Sequence, residues 1–105
     1  MRAALLVNQG KKKGEIFPVK KDGQETVIGR DISCDIQLSD PGISRRHFCL
    51  LHQEGKFFLQ DLGSSNGTFV NQNPALWQEI VHGDKIVSGE TELEFLIFQE
   101  PTEET

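Results

Sequence analysis

Phe48-Cys49-Leu50-Leu51-His52, then Gln53-Glu54-Gly55, then Lys56-Phe57-Phe58-Leu59-Gln60-Asp61 is the stretch that decides the fold. Two runs of strand length, read as His47 to His52 and Lys56 to Asp61, flank a short connection ending in glycine, which is the pattern of a hairpin. Side chains alternate across a strand, so Phe48 and Leu50 face one way on the first run, and Phe57 and Leu59 face one way on the second. Neither run repeats at helical spacing.

The same rhythm continues in both directions. Upstream, Arg2 to Asn8, Glu15 to Val19, Glu25 to Gly29 and Asp35 to Leu38 read as strands, the last with Ile36 and Leu38 on its buried side. Lys21-Asp22-Gly23-Gln24 predicts an Asp-Gly hairpin turn, which makes the start of the chain a meander. Lys11, Lys12 and Lys13, set between Gly10 and Gly14, predict a solvated hairpin turn. Downstream, Thr68 to Asn71, Lys85 to Ser88 and Glu92 to Phe98 complete the set, with Leu93, Phe95 and Ile97 on one side. Pro41, Pro74 and Pro101 fall between these segments, where a missing backbone donor does no harm. So many short strands in 105 residues predict an all-β fold, a two-sheet β-sandwich.

Length and charge narrow the function. A chain of 105 residues has room for one core, taken as residues 1–99, with Glu100 to Thr105 read as an acidic tail or the start of a linker. No stretch approaches the roughly 18 to 20 apolar residues of a membrane helix, and no signal-peptide pattern opens the sequence. The reading is a cytoplasmic protein with no membrane partner. Cys34 and Cys49 are too few for a disulfide framework, which fits a reducing compartment. Cys49, His47 and His52 do not make a metal site: neighbouring strand positions point to opposite faces and no second closely spaced ligand pair exists. No metal and no cofactor is expected. A formal net charge of −5 argues against nucleic acid, whose binding is dominated by neutralisation of phosphates.

Three loops carry more donors than turning requires: Gly29-Arg30-Asp31, Gly42-Ile43-Ser44-Arg45-Arg46-His47 and Gly63-Ser64-Ser65-Asn66-Gly67-Thr68. Loops gather at the ends of a sandwich, so donors from separate loops converge on one ligand. Guanidinium, hydroxyl and carboxamide groups beside free backbone N–H groups are the chemistry for holding a dianionic phosphate.

These residues resemble a family. Gly29-Arg30, Ser44-Arg45-Arg46-His47 and Leu62-Gly63-Ser64-Ser65-Asn66-Gly67-Thr68-Phe69-Val70-Asn71, in this order and followed by Gly83-Asp84-Lys85-Ile86, look like a forkhead-associated (FHA) domain from Leu5 to Phe98. The resemblance implies a sandwich of about eleven strands and a module that binds a threonine-phosphorylated protein or peptide. It implies that Arg30 and Ser44 contact phosphate and that Asn66 bonds the peptide backbone. Ser65 and Arg45 occupy positions that often contact phosphate or peptide. Gly29, His47, Gly67 and Asn71 fall at positions that support the site, and the isolated domain is expected to be monomeric.

Three positions depart from the family pattern. Gln72 stands where a glycine is common, Ser88 where an apolar residue is usual, and the loop from Asn73 to Glu79 with Trp77 is idiosyncratic. A catalytic reading, with Ser44 as nucleophile and His47 as base, lacks an orienting acid and any Gly-x-Ser-x-Gly element, so no enzyme is expected. The remaining rival is an FHA-like scaffold that binds partners without phosphate.

Overall fold

Strands whose apolar residues lie on one face must be covered by a second layer, and two sheets supply it. The computed structural model describes residues 1–99, and within them eleven strands form: β1 (Arg2–Gln9), β2 (Ile16–Pro18), β3 (Glu25–Gly29), β4 (Ile36–Gln37), β5 (Phe48–Gln53), β6 (Lys56–Asp61), β7 (Thr68–Val70), β8 (Asn73–Pro74), β9 (Trp77–Ile80), β10 (Lys85–Ser88) and β11 (Thr91–Phe98). One sheet has the order β2-β1-β11-β10-β7-β8 and the other β4-β3-β5-β6-β9. The core lies between them. Phe48, Leu50, Phe57 and Leu59 from one sheet meet Leu5, Val7, Ile86, Leu93 and Phe95 from the other, all buried, with the Phe57 and Phe95 rings 5.0 Å apart. Ile36 and Leu38 are buried as alternation predicts, and Ile97 packs partly buried at the margin. Among the described residues no helix is long and apolar enough to cross a membrane.

Two expectations fail, each because pairing is not a local property. The Asp22-Gly23 turn forms, with Gln24 N donating to Lys21 O at 3.1 Å, but it joins no hairpin. β2 pairs with β1 in one sheet, whereas β3 pairs with β4 and β5 in the other. Of the two central residues only Gly23 has positive φ, and a type I′ hairpin needs both. The chain therefore crosses between layers where a meander was expected. Second, the segment after Gln72 is no loop: Asn73–Pro74 pairs with β7 and Trp77–Ile80 pairs with β6. Pro74 thus lies within a strand, at the outer edge of its sheet, where its missing N–H is tolerated. At the family-atypical Gln72, Asn71 (φ 49°) and Gln72 (φ 74°) both sit in the left-handed region, so a two-residue turn of type I′ forms with Gln72 in place of glycine.

Lys11, Lys12 and Lys13 do lie in a hairpin connection, closed by Gly14 N donating to Val7 O at 2.8 Å. Cys34 and Cys49 are free, buried thiols grouped with Val27, Leu51 and Leu62 in a second apolar cluster. The acidic tail of residues 100–105, including Pro101, lies outside the described residues. Along β1 and β11, Arg2 faces Phe98 and Gln9 faces Glu92. The turn between β10 and β11 is therefore at the far end of the sheet from Arg2, and there it meets the polar loops, with Glu90 N donating to Asp40 at 2.9 Å.

Candidate functional site

An aspartate stands in or just before each of the three donor-rich loops. Asp31, Asp40 and Asp61 accept from the backbone N–H two residues on, at Ser33 (3.1 Å), Gly42 (2.7 Å) and Gly63 (3.0 Å) respectively. This is the Asx-turn, which bends the chain sharply while using the carboxylate internally. Asp61 goes furthest: it also accepts from Ser64 N (3.0 Å), Ser64 Oγ (2.6 Å) and Thr68 Oγ1 (2.7 Å). Burial pushes its carboxyl up, but the bonds from Ser64 and Thr68, with those from the Ser64 and Gly63 backbone, outweigh it and hold it below the ordinary range. Asp40 is likewise lowered, burial being outweighed by Thr91, Gly42 and Glu90. Asp31 is lowered chiefly by the Ser33 hydroxyl and N–H. None of these three was singled out from sequence, although Asp with Gly or Ser two residues later is a legible turn signal.

The first two loops are laced together. Arg30 N donates to Ser44 O at 3.0 Å and Asp31 N to Arg45 O at 3.1 Å, while Cys34 Sγ donates to Arg45 O at 3.0 Å. Gly29 is needed for this approach: a Cβ there would stand 2.1 Å from Arg45 O, inside any van der Waals contact. The Arg30 side chain is oriented by Nε donating to Ile43 O at 3.0 Å, and among the described residues neither terminal nitrogen is used.

His47 joins the second loop to the third. It is fully buried, accepts from Ser44 N through Nδ1 at 3.0 Å and contacts Gly67 O through Nε2 at 2.8 Å. An accepting Nδ1 forces the proton onto Nε2, so the ring is the neutral Nε2–H tautomer donating to Gly67. Gly67 has φ +85° and closes the loop by donating to Ser64 Oγ at 3.0 Å. Two further bonds cross between these loops: Ser65 N donates to Ser44 Oγ at 3.0 Å, and Asn66 Nδ2 donates to Gly42 O at 2.9 Å.

The outcome is one open pocket of about 430 Å³ lined by Arg30, Ser44, Arg45, Arg46, Ser65 and Asn66, with Pro41, Gly42, Ile43 and Gly63 between them. All five residues read from the sequence as ligand contacts border it, and Arg46 joins them. Gly29, His47 and Gly67 lie in the supporting bonds behind. Asn71 does not border the pocket: its Nδ2 donates to Asp84 at 2.9 Å and its Oδ1 accepts from Lys85 N at 3.0 Å. Among the described residues no carboxylate lines the cavity: Asp31 and Asp61 are turned into their own loops, and Asp40 is bonded to Gly42, Glu90 and Thr91. Among the described residues no group of His, Cys, Asp and Glu is placed to hold a metal ion.

Known proteins share this architecture. The FHA domain family model matches residues 26–89. The chain is 40% identical over 94 residues to an oxoglutarate dehydrogenase inhibitor of Corynebacterium efficiens, covering 90% of this chain and 65% of that protein. It is 37% identical over 94 residues to the glycogen accumulation regulator GarA of Mycolicibacterium smegmatis, covering 90% and 58%. The chain thus spans less than two thirds of the length of these relatives. A solved FHA domain from a study of phosphothreonine-dependent FHA domain interactions superposes with a TM-score of 0.86 at 28% identity, covering 95% of this chain and 100% of that one.

Proposed function

The chain belongs to the FHA family, and from that premise we propose that its loop-end pocket receives the phosphate of a threonine-phosphorylated protein or peptide. The observation that carries this reading is the lining: guanidinium, hydroxyl and carboxamide groups from three loops border one cavity from which carboxylates are excluded, in a chain of net charge −5. Arg30, held at Nε by Ile43 O, offers its terminal nitrogens to two phosphate oxygens, the fork geometry in which guanidinium exceeds ammonium. Ser44 Oγ already accepts from Ser65 N, so its own proton is the one directed to phosphate. Arg45 and the Ser65 hydroxyl add donors at the rim. Asn66 spends one amide hydrogen on Gly42, and its carboxamide oxygen remains to accept an N–H from the peptide backbone.

In this reading the site holds its ligand and does not transform it. His47 has its basic nitrogen filled by Ser44 N–H, so it is a brace between loops and no base for Ser44. The solved neighbour studied for phosphothreonine-dependent interactions and relatives described as an inhibitor and a regulator support a recognition module acting on a protein partner. Monomeric action in the cytoplasm, without nucleic acid, belongs to the same reading. Calorimetric titration with a matched pair of peptides, phosphorylated or not on one threonine, tests it. Binding of the phosphorylated form alone is expected; equal binding of both would replace this reading with the phosphate-independent scaffold.

A further inference from the structure

The two sheets have four edges, formed by β2, β8, β4 and β9. An edge strand exposes unpaired backbone groups, and proteins blunt it by shortness, lysine or proline. β4 and β8 have two residues each, with Pro74 in β8, and β2 has three and ends in Pro18. β9 departs from this pattern: it has four residues, no proline and no lysine. Asp61 N donates to Leu76 O at 2.9 Å, and the register on β6 sets Gln78 opposite Leu59 and Ile80 opposite Phe57. Antiparallel alternation then turns the N–H and C=O of Trp77 and Glu79 away from β6. Among the described residues no other group bonds them.

The outer face beside this edge is apolar in its middle and acidic at its margins. Register places Glu25, Leu51, Phe58 and Glu79 in one row across the sheet, and residues directly opposite share a face. Trp77 stacks on Phe58 with ring centroids 5.4 Å apart, yet it stays 55% exposed. Glu25 and Glu79 are exposed. Glu79 has no ion-pair partner among the described residues, Lys56 on β6 included.

We propose that the β9 edge is a second interaction surface, which takes an extended, basic segment of a protein partner as a sixth strand on the five-stranded sheet. The segment's backbone bonds Trp77 and Glu79, an apolar side chain lies beside Trp77, and a lysine or arginine two positions along lies beside Glu79. Open backbone valences select an extended segment over a helix, and residues two apart on it share a face. The acidic row sets the sign of the charge it carries. No residue of β9 lines the phosphate pocket, so this surface works without phosphothreonine.

Trp77 is the only tryptophan, so its fluorescence reads this surface directly. The probe is the unphosphorylated peptide Thr-Val-Thr-Lys-Thr-Val-Thr-Lys-Thr. A saturable change in emission is expected, with slowed hydrogen exchange at the Trp77 and Glu79 amides, and a far weaker response to the same peptide carrying Glu for Lys. N-methylating alternate residues of the peptide is expected to abolish binding in one phase and spare it in the other, because only one set of its N–H groups faces β9. Glu79→Lys, at an exposed side chain, is expected to weaken the basic peptide about fivefold without lowering the melting temperature. The proposal is overturned by the absence of a saturable response, by equal binding of the acidic peptide, by indifference to both phases of N-methylation, or by a Glu79→Lys protein that binds like the parent. Concentration-dependent dimerisation that protects the same two amides would give the edge to a second copy of the chain and overturn it too.

Discussion

At the Asn71 end of β7 the polar groups consume one another. Asn71 bonds Asp84 and Lys85 N, and the second Asp84 oxygen accepts from Val81 N at 2.8 Å. At the Thr68 end of the same strand, carboxylates again tie down backbone N–H groups, and Ser64, Thr68 and Asn66 also spend bonds inside the loops, but the guanidinium groups do not follow them. Among the described residues Arg45 and Arg46 make no side-chain hydrogen bond there, and Arg30 uses Nε alone. At one end the Asn71 carboxamide and the Asp84 carboxylate satisfy each other and the adjoining backbone; at the other the cationic residues border a cavity. A motif rich in Asn, Asp and Gly is therefore a site only where its donors outnumber the acceptors folded in with them.

The sharpest way to break this contrast is to exchange its key residues. Arg30→Ala is expected to weaken phosphopeptide affinity by about 2 to 5 kcal/mol, the cost of truncating one partner of a desolvated charge pair, with the melting temperature nearly unchanged. Asn71→Ala is expected to do the reverse, lowering stability by about 1 to 3 kcal/mol with affinity retained. If thermal melts and titrations show both variants losing affinity alike, the two ends are not functionally separate.

Asp61 is the point where support and site meet. Asp61→Ala leaves four donors without their acceptor and is expected to cost about 3 kcal/mol of stability in chemical denaturation, with affinity lost alongside. His47→Ala is expected to cost about 1 to 3 kcal/mol by orphaning Ser44 N and Gly67 O. A His47→Ala protein that melts like the parent yet fails to bind would show that the ring acts on the ligand.

Acid titration separates the carboxylate braces from the rest. Asp31, Asp40 and Asp61 have folded-state values below the ordinary carboxyl range. Their contribution to stability is then complete above the unfolded carboxyl value of about 4 and is lost as pH falls through the lower folded values. Stability from these groups should be flat from pH 7 to about pH 5 and fall below about pH 4; a decline centred near neutrality would assign the braces to another group.

The smallest effects sharpen the picture inside the pocket and beneath it. Phosphothreonine is expected to bind better than phosphoserine by about 1 kcal/mol, the worth of one buried methyl, and equal affinities would mean that no methyl cavity adjoins the phosphate. Ser88 is fully buried with its Oγ unpartnered, facing Thr68 and Thr91 on the flanking strands. Ser88→Ala removes an unsatisfied hydroxyl, and a gain of up to about 1 kcal/mol in denaturation is expected without change in affinity.

The sequence by itself determined the class of fold and the chemistry of the site. Alternation in Phe48–Asp61 and Leu93–Ile97 is a period-two signal that needs no partner to be legible, and Arg30, Ser44, Arg45, Ser65 and Asn66 carry their donors wherever they sit. Only the tertiary structure decided which strands pair and which donors stay free. Asn73–Pro74 has no strand propensity of its own and is a strand because β7 lies beside it; Trp77–Ile80 is one because β6 presents an open edge. The Asp22-Gly23 turn is readable from two residues, but whether it joins neighbours or crosses between sheets depends on Val27 meeting Cys49 across β3 and β5, a contact far away in sequence. The same holds for Asp40, whose carboxylate is spent on Glu90 and Thr91 about fifty residues on. Backbone and side-chain valences are local, but their satisfaction is not, and a binding site is defined by the valences that folding leaves open.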